Sequence, residues 1–250
     1  MKQQLFRAAL GAAAIGLATS AAGAADTTVV VLCVSNGGTT CKQIAADYEK
    51  THPGTHVQVS IAGSTVIAAQ LAQGAAADLV VINKRVAATV PQLEAPQDVF
   101  AEHTIVVATK GSTKVRSARD LAAPGVRVAA GTAGSFAETI QGETVARLAG
   151  EYGPDYAAKY KANVVTTKTN FEQIARLVEG GSVDAAIVYA SEITPKLGVI
   201  AIGDRAVVST FAVAVVKGAA HAQQAHEVAA LMLGPTGQMI AQADHHDALH

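Results

Sequence analysis

Hydroxyl residues follow three strand-like segments of the chain, and each group stands directly before a helix-like segment. These residues are Ser35, Ser64, Thr65 and Ser135. The first N–H groups of a helix lack intrahelical acceptors and carry partial positive charge, so hydroxyls beside them can hold a small anion. Ser64 could instead be an ordinary helix cap, because serine and threonine cap helices more often than they bind ligands.

The three turns, 35–40, 63–65 and 131–135, contain no charged side chain. A sulfate, molybdate or tungstate dianion offers only acceptors, so a site made of donors suits it, and each charge-assisted hydrogen bond contributes ~1.5–3 kcal/mol. A protonated phosphate also needs an acceptor, usually a carboxylate. We therefore expect a site without acids that favours a permanent dianion over phosphate, and the residues do not rank the three dianions.

Motifs of catalysis and of cofactor binding are missing from the sequence. It contains no GxSxG, no GxxxxGK[ST] and no GxGxxG after a strand. Three isolated histidines, His103, His221 and His226, are expected to be structural or solvated. Those of the tail, His245, His246 and His250, are expected to be solvated. We expect no enzyme activity, no cofactor and no protein-bound metal cation.

The composition is that of a folded protein with a substantial core. Half of the 250 residues are apolar, 16% are charged and the net charge is −1. This length suits one large domain or two smaller lobes. The balanced charge gives no basic face for nucleic acid, and the absence of tryptophan disfavours a stacking site for bases or sugars.

The N-terminus has the pattern of a signal peptide over residues 1–24. Lys2 and Arg7 precede an apolar run at 8–18, and the triplet 22–24, Ala-Gly-Ala, fits a cleavage site. An uncleaved anchor is the alternative. Export to the periplasm is expected.

The two cysteines of the chain, Cys33 and Cys41, lie eight positions apart. In an oxidising compartment such a pair can form a disulfide, and two buried thiols are the alternative. The sequence does not decide between them, because a bridge needs Cα atoms within ~7 Å. No histidine stands at a spacing that would make them metal ligands.

Strand-like and helix-like runs alternate along the chain, which predicts an open, mostly parallel α/β sheet with helices on both faces. Ligands of such sheets bind outside the carboxyl ends of the strands, where the hydroxyl turns lie. Strands are predicted at 27–34, 57–62, 78–83, 103–109, 126–130, 164–167, 185–189 and 207–216. Helices are predicted at 41–50, after 65, and at 136–148, 171–179, 221–233 and 236–243.

The chain resembles the periplasmic molybdate-binding proteins of ABC importers. The resemblance is carried by the segments GSTVIAAQLAQGAAADL (63–79) and AIVYASE (186–192), supported by VLCVSNGG (31–38) and DLAAPGVRVAAG (120–131). It covers essentially all of the chain after the signal segment.

The resemblance implies a periplasmic binding protein of type II, with two α/β lobes and a cleft between them. Lobe I would comprise residues 25–104 and 211–250, and lobe II residues 105–210. The protein would be a soluble monomer that captures molybdate or tungstate and delivers it to an ABC permease, with molybdenum present only as the bound oxyanion. Another small ligand, a sulfate-like oxyanion or an organic anion, in scavenging or signalling is the alternative.

The resemblance also implies the ligand contacts. The hydroxyls would come from Ser35, Ser64 and Tyr189, and backbone amides from Ala133 and Phe171.

Overall fold

The computed structural model describes residues 27–249, and the predicted signal segment lies outside the described residues. The strands are β1 (Thr27–Val34), β2 (Thr55–Ala62), β3 (Leu79–Asn83), β4 (Gln97–Thr109), β5 (Val128–Gly131), β6 (Val164–Lys168), β7 (Ala185–Tyr189), β8 (Leu197–Ile200), β9 (Val208–Val215) and β10 (Asp247–Ala248). The helices are α1 (Gly38–Thr51), α2 (Ser64–Ala72), α3 (Lys84–Ala87), α4 (Phe136–Tyr152), α5 (Tyr156–Ala162), α6 (Phe171–Glu179), α7 (Ala222–Leu233) and α8 (Pro235–Ala243).

The strands form a mixed sheet in the order β2-β1-β3-β9-β4-β7-β5-β6, and β8 and β10 each pair with β4. Strand β1 pairs in parallel with β2 and β3, and β5 pairs in parallel with β6 and β7. The pairs that join these two groups, β3 with β9, β9 with β4 and β4 with β7, are antiparallel. Within each parallel group the carboxyl ends of the strands lie at the same edge of the sheet. The turns that lead from β2, β5 and β6 into α2, α4 and α6 start at these ends.

Strand β4 links the two parallel groups because it changes partners along its length. Its residues from Gln97 to His103 pair with β9, and its residues from Thr104 onward pair with β7 and β8. The ring of Phe100 stacks on that of Phe211 of β9 at 5.2 Å between centroids. Both phenylalanines are fully buried, so the crossover is packed by apolar contacts as well as by the hydrogen bonds of the sheet.

Local sequence explains the start of the helices that matter for function. Asn170 caps α6, where its side-chain oxygen accepts a hydrogen bond from the Gln173 amide at 2.9 Å. Ser135 caps α4 in the same way through the Glu138 amide at 3.1 Å. Such caps satisfy one orphan amide and leave others of the first turn facing outward.

The predicted elements are present, and the differences have physical causes. Residues 97–102 form the first half of β4, although polar side chains interrupt the apolar pattern there. Glu102 is one of them, and it is fully buried beside His246. Strand β8 was not predicted because it is only four residues long and contains Gly198, so the sequence has no extended apolar run there.

Cys33 and Cys41 form a disulfide, with a Cα–Cα distance of 6.6 Å. Cys33 is a buried residue near the end of β1, and Cys41 lies in the first turn of α1. The bridge therefore spans the 3₁₀ turn Ser35–Gly37, which lies between them. The possibility of two free thiols is thereby settled in favour of the bridge. Among residues 27–249, no helix has both the length and the apolar character that crossing a bilayer requires.

Replacing both cysteines by alanine should lower the free energy of unfolding. The bridge closes a short loop between residues with a sequence separation of 8, and the restriction of the unfolded chain corresponds to about 2–3 kcal/mol. Urea unfolding of the double variant would measure the loss. Reducing the wild-type protein with dithiothreitol should give a similar loss, and the same treatment should leave the double variant unchanged. Equal unfolding midpoints for oxidised and reduced wild type would contradict this role.

Candidate functional site

A cavity of about 320 Å³ lies where the carboxyl ends of the strands meet the first turns of three helices. It is lined by residues that follow β1, β2, β5, β6 and β7 and by the starts of α2, α4 and α6. The lining residues are Val34, Ser35, Asn36, Gly63, Ser64, Thr65, Val66, Thr132, Ala133, Gly134, Ser135, Phe136, Ala137, Thr169, Asn170, Phe171, Tyr189 and Glu192. We call it the anion cavity. All five residues predicted to contact the ligand are among its lining.

Ser64 is the first residue of α2 and is 3% exposed. Its hydroxyl oxygen accepts a hydrogen bond from the Asn83 amide at 3.0 Å. The hydroxyl proton is not used in that bond, so Ser64 can donate it to a group in the cavity. The adjacent Ser64, Thr65 and Val66 amides belong to the first turn of the helix, where no intrahelical acceptor is in reach.

Ser35 begins the 3₁₀ turn Ser35–Gly37 and lines the anion cavity from the side of β1. Its neighbour Asn36 donates a hydrogen bond from Nδ2 to Oε1 of the buried Glu102, at 2.8 Å. Together with the disulfide that encloses the turn, this contact holds the Ser35 backbone against β4.

The turn at 131–135 has fewer backbone amides free to bind a ligand than its sequence indicates. The Gly134 amide donates to Oε2 of Glu138 at 2.6 Å, and the Ser135 amide donates to the Thr132 carbonyl at 2.9 Å. This leaves the Ala133 amide as the candidate donor of this turn. Phe171 opens α6, so its amide lies in a first turn as well, beside the capping Asn170.

Tyr189 ends β7 and is 1% exposed. Its hydroxyl donates to Oγ of Ser209 at 2.7 Å, and burial raises the pKa of this phenol, so it stays neutral. The ring of Phe171 packs against that of Tyr189 with 4.5 Å between centroids. Donation from Tyr189 to a ligand would require the hydroxyl to turn away from Ser209, since a phenol has one proton.

The expectation of a site without acids needs correction, because Glu192 also lines the anion cavity. It stands three residues after Tyr189, at the end of a 3₁₀ turn over Ala190–Glu192 that bends the chain back toward the cavity. Glu192 was not predicted as a site residue, because a short turn gives no periodic pattern in the sequence. It is the last residue of the segment AIVYASE. No Lys or Arg side chain of residues 27–249 lines the cavity.

A buried ion pair lies behind the Ser35 turn. Nδ1 of His246 is 2.6 Å from Oε1 of Glu102, and Nε2 is 3.4 Å from Oδ2 of Asp244. The prediction that the tail histidines are solvated is therefore wrong for His246, which is 4% exposed and stacks on Phe100 at 4.1 Å. The sequence pattern had no signal for this, because the partner Glu102 is far away along the chain.

The side chains of residues 27–249 include His, Cys, Asp and Glu, the residue types that ligate metals. No group of three or more His, Cys, Asp or Glu residues is arranged there to hold a metal ion.

The chain matches the model of the family described as bacterial extracellular solute-binding protein over residues 29–245. The molybdate-binding protein ModA of Mycobacterium tuberculosis is 26% identical over 231 residues, which covers 85% of this chain and 81% of that protein.

Solved structures are similar over most of their length. The periplasmic molybdate-binding protein of Azotobacter vinelandii aligns with a TM-score of 0.73 and 16% identity over 89% of this chain and 100% of that one. The sulfate-binding protein SubI of Mycobacterium tuberculosis aligns with a TM-score of 0.76 and 16% identity over 89% and 87%. These likenesses show the fold, and the expected type II periplasmic binding-protein architecture is confirmed.

The stability of the protein should fall as the pH rises from about 6.5 to about 9, because of His246. Burial by itself lowers the pKa of this imidazole, but hydrogen bonds and charges of Asp244 and Glu102 outweigh burial and raise the pKa to about 9. An unfolded histidine titrates near ~6.5. The stabilisation is therefore complete below pH ~6.5 and is lost as the pH rises through the folded-state value.

Urea unfolding across this pH range would measure the decline, which should be shallower in a His246→Gln variant. His103→Gln is a matched control, since His103 pairs with Asp247 at the surface, and it should keep the wild-type decline. An identical decline in His246→Gln and wild type would exclude His246 as its origin.

Proposed function

The chain belongs to the family of bacterial extracellular solute-binding proteins, which bind solutes and are not enzymes, and we propose that it captures molybdate or tungstate in the periplasm and delivers the anion to the permease of an ABC importer. The observation that carries the proposal is the convergence of the first turns of α2, α4 and α6 on one cavity. Ser35 and Ser64, which carry hydroxyls, line the same cavity. The predicted signal segment at 1–24 would supply the route of export.

The chemistry of the lining supports a small dianion. Helix N-termini carry partial positive charge, and their amides point at a bound anion. Since no Lys or Arg lines the cavity, the negative charge would be balanced by neutral donors, each charge-assisted hydrogen bond contributing ~1.5–3 kcal/mol. The volume of about 320 Å³ lies near the lower end of the ~300–1,000 Å³ usual for ligand pockets. The similarity to a molybdate-binding protein points to the same class of anion.

Closure of the two lobes over the anion would complete the site. The first turn of α2 belongs to the proposed lobe I, and the first turns of α4 and α6 belong to the proposed lobe II, so an anion touching all three draws the lobes together. Arg85 and Glu143 already connect α3 and α4 through two contacts, at 2.6 and 3.2 Å. This pair would stabilise the closed arrangement only weakly, because both side chains are partly exposed to water.

An organic anion with an oxyanion head group is the second candidate. A neighbouring cavity of about 360 Å³ shares Ser35, Asn36 and Glu192 with the anion cavity. It could hold a polar substituent, which a bare oxyanion lacks. Scavenging or signalling would then replace molybdate import.

Calorimetric titration with molybdate, tungstate, sulfate, phosphate and glycerol phosphate should distinguish these functions. We expect molybdate and tungstate to bind more tightly than sulfate and phosphate. Preference for glycerol phosphate over all four inorganic anions would favour the second candidate. Absence of binding heat with molybdate, tungstate and sulfate would refute the oxyanion proposal.

Ser64→Ala should weaken molybdate binding by ~1–3 kcal/mol, because the anion loses a buried donor. The substitution also leaves the Asn83 amide without its acceptor, so some loss of stability is expected beside the loss of affinity. Calorimetry and thermal unfolding would measure the two effects separately.

Ser117→Ala serves as a control for Ser64→Ala. Ser117 donates to Oδ2 of Asp120 at 3.0 Å and does not line the anion cavity. It should lower stability without changing affinity. Unchanged affinity in Ser64→Ala would reduce Ser64 to a structural role at the start of α2.

A further inference from the structure

Among residues 27–249, Glu192 is the only carboxyl-bearing side chain that lines the anion cavity. It sits at the end of the 3₁₀ turn that follows β7, and it also lines the neighbouring cavity. A carboxylate in this position would face the same space as a bound dianion and repel it. A neutral carboxyl in the same position has an O–H group and can donate a hydrogen bond.

The surroundings of Glu192 favour the neutral form. Burial, followed by the negative charges of Glu102 on β4, Glu172 on α6 and Asp244 after α8, raises its pKa to about 8, and Arg176 acts weakly in the opposite direction. Arg176 is already paired with Glu172 at 2.6 Å, which limits its attraction for a second carboxylate.

Other charged groups near the turn do not supply a counter-ion for Glu192. Lys42 and Glu179 line the neighbouring cavity from α1 and α6, and Lys42 is exposed to water, which screens its charge. His246 lies behind the Ser35 turn, where Glu102 and Asp244 already contact it. Tyr189 is neutral because burial raises its pKa.

We propose that Glu192 binds the oxyanion as a neutral carboxyl that donates its own proton, so that capture of a dianion is coupled to protonation of this side chain. The inference rests on the proposed function and adds a specificity-determining residue to it. The part of the chain that the structure describes places no Lys or Arg in the anion cavity, so protonation of Glu192 is the charge adjustment that this lining offers. Binding of a dianion beside Glu192 favours the protonated form further, because ionisation would place like charges together.

This coupling fixes the direction of the pH dependence. Below its pKa Glu192 is ready to donate, and above it a proton must be taken up with each anion. The dissociation constant for molybdate should therefore rise about tenfold per pH unit above the pKa of Glu192. Hydrogen phosphate behaves differently, because it carries a proton that an ionised Glu192 can accept.

Calorimetry of molybdate binding from about pH 6.5 to about pH 9, in pairs of buffers with different heats of ionisation, tests the proposal. For the wild-type protein we expect about tenfold weaker binding at the upper end, with proton uptake rising from near zero to nearly one per anion. This measurement on the wild type needs no variant to fold. Glu192→Gln should bind with a flat pH profile and no proton uptake, because an amide donates a hydrogen bond without titrating.

Glu172→Gln is the matched control, since Glu172 lines the neighbouring cavity and not the anion cavity. It should keep the pH slope and the proton uptake, with the midpoint moved to lower pH, because Arg176 is released toward Glu192. Unchanged slope in Glu192→Gln would assign the dependence to another group, such as His246, and overturn the proposal.

The outcomes also separate this inference from the proposed function. Molybdate binding without proton uptake at any pH overturns the role of Glu192 and leaves oxyanion capture intact. Failure of every inorganic oxyanion to bind across the range removes both.

Discussion

The site depends on one electrostatic constraint, which is that first-turn amides of three helices must face a common space. Each of these helices follows a strand of the parallel groups, so their positive ends meet at the carboxyl edge of the sheet. The cavity needs no basic side chain for this reason, and none lines it. Under the proposed function, neutral donors would be fixed in place before an anion arrives, and that would lower the cost of ordering them.

Acidic groups near such a cavity have to be neutralised or kept away, and the structure does this in two ways. Glu102 is fully buried, but it is paired with His246 and accepts a hydrogen bond from Asn36. The carboxylate of Glu138, near the turn 131–135, accepts a hydrogen bond from the Gly134 amide. That contact removes one amide from the set available to a ligand, so the turn contributes less than its glycine-rich sequence indicates.

Sequence reasoning succeeded where a pattern is local and failed where it depends on residues distant in the chain. Helix α6 was predicted with its observed bounds, because Asn170 caps it, its apolar residues repeat with helical spacing and Gly180 follows it. The five predicted ligand residues line one cavity because each ends a strand, starts a helix or lies in a turn between the two. The cavity position of Glu192 and the buried ion pair of His246 were not predicted. Both depend on residues that are brought near them only in the folded chain, among them Glu102 and Asp244.

Two sides of the anion cavity are held by constraints of different kinds. On the side of Ser35 the disulfide closes a short loop, so the turn between Cys33 and Cys41 has few alternative conformations. On the side of Ala133 the constraint is steric, because a Cβ on Gly131 would come within 2.1 Å of the Glu138 backbone nitrogen. Glycine is therefore required where β5 meets the first turn of α4, and Gln141 secures the same place by accepting the Gly131 amide at 2.7 Å while donating to the Ile187 carbonyl.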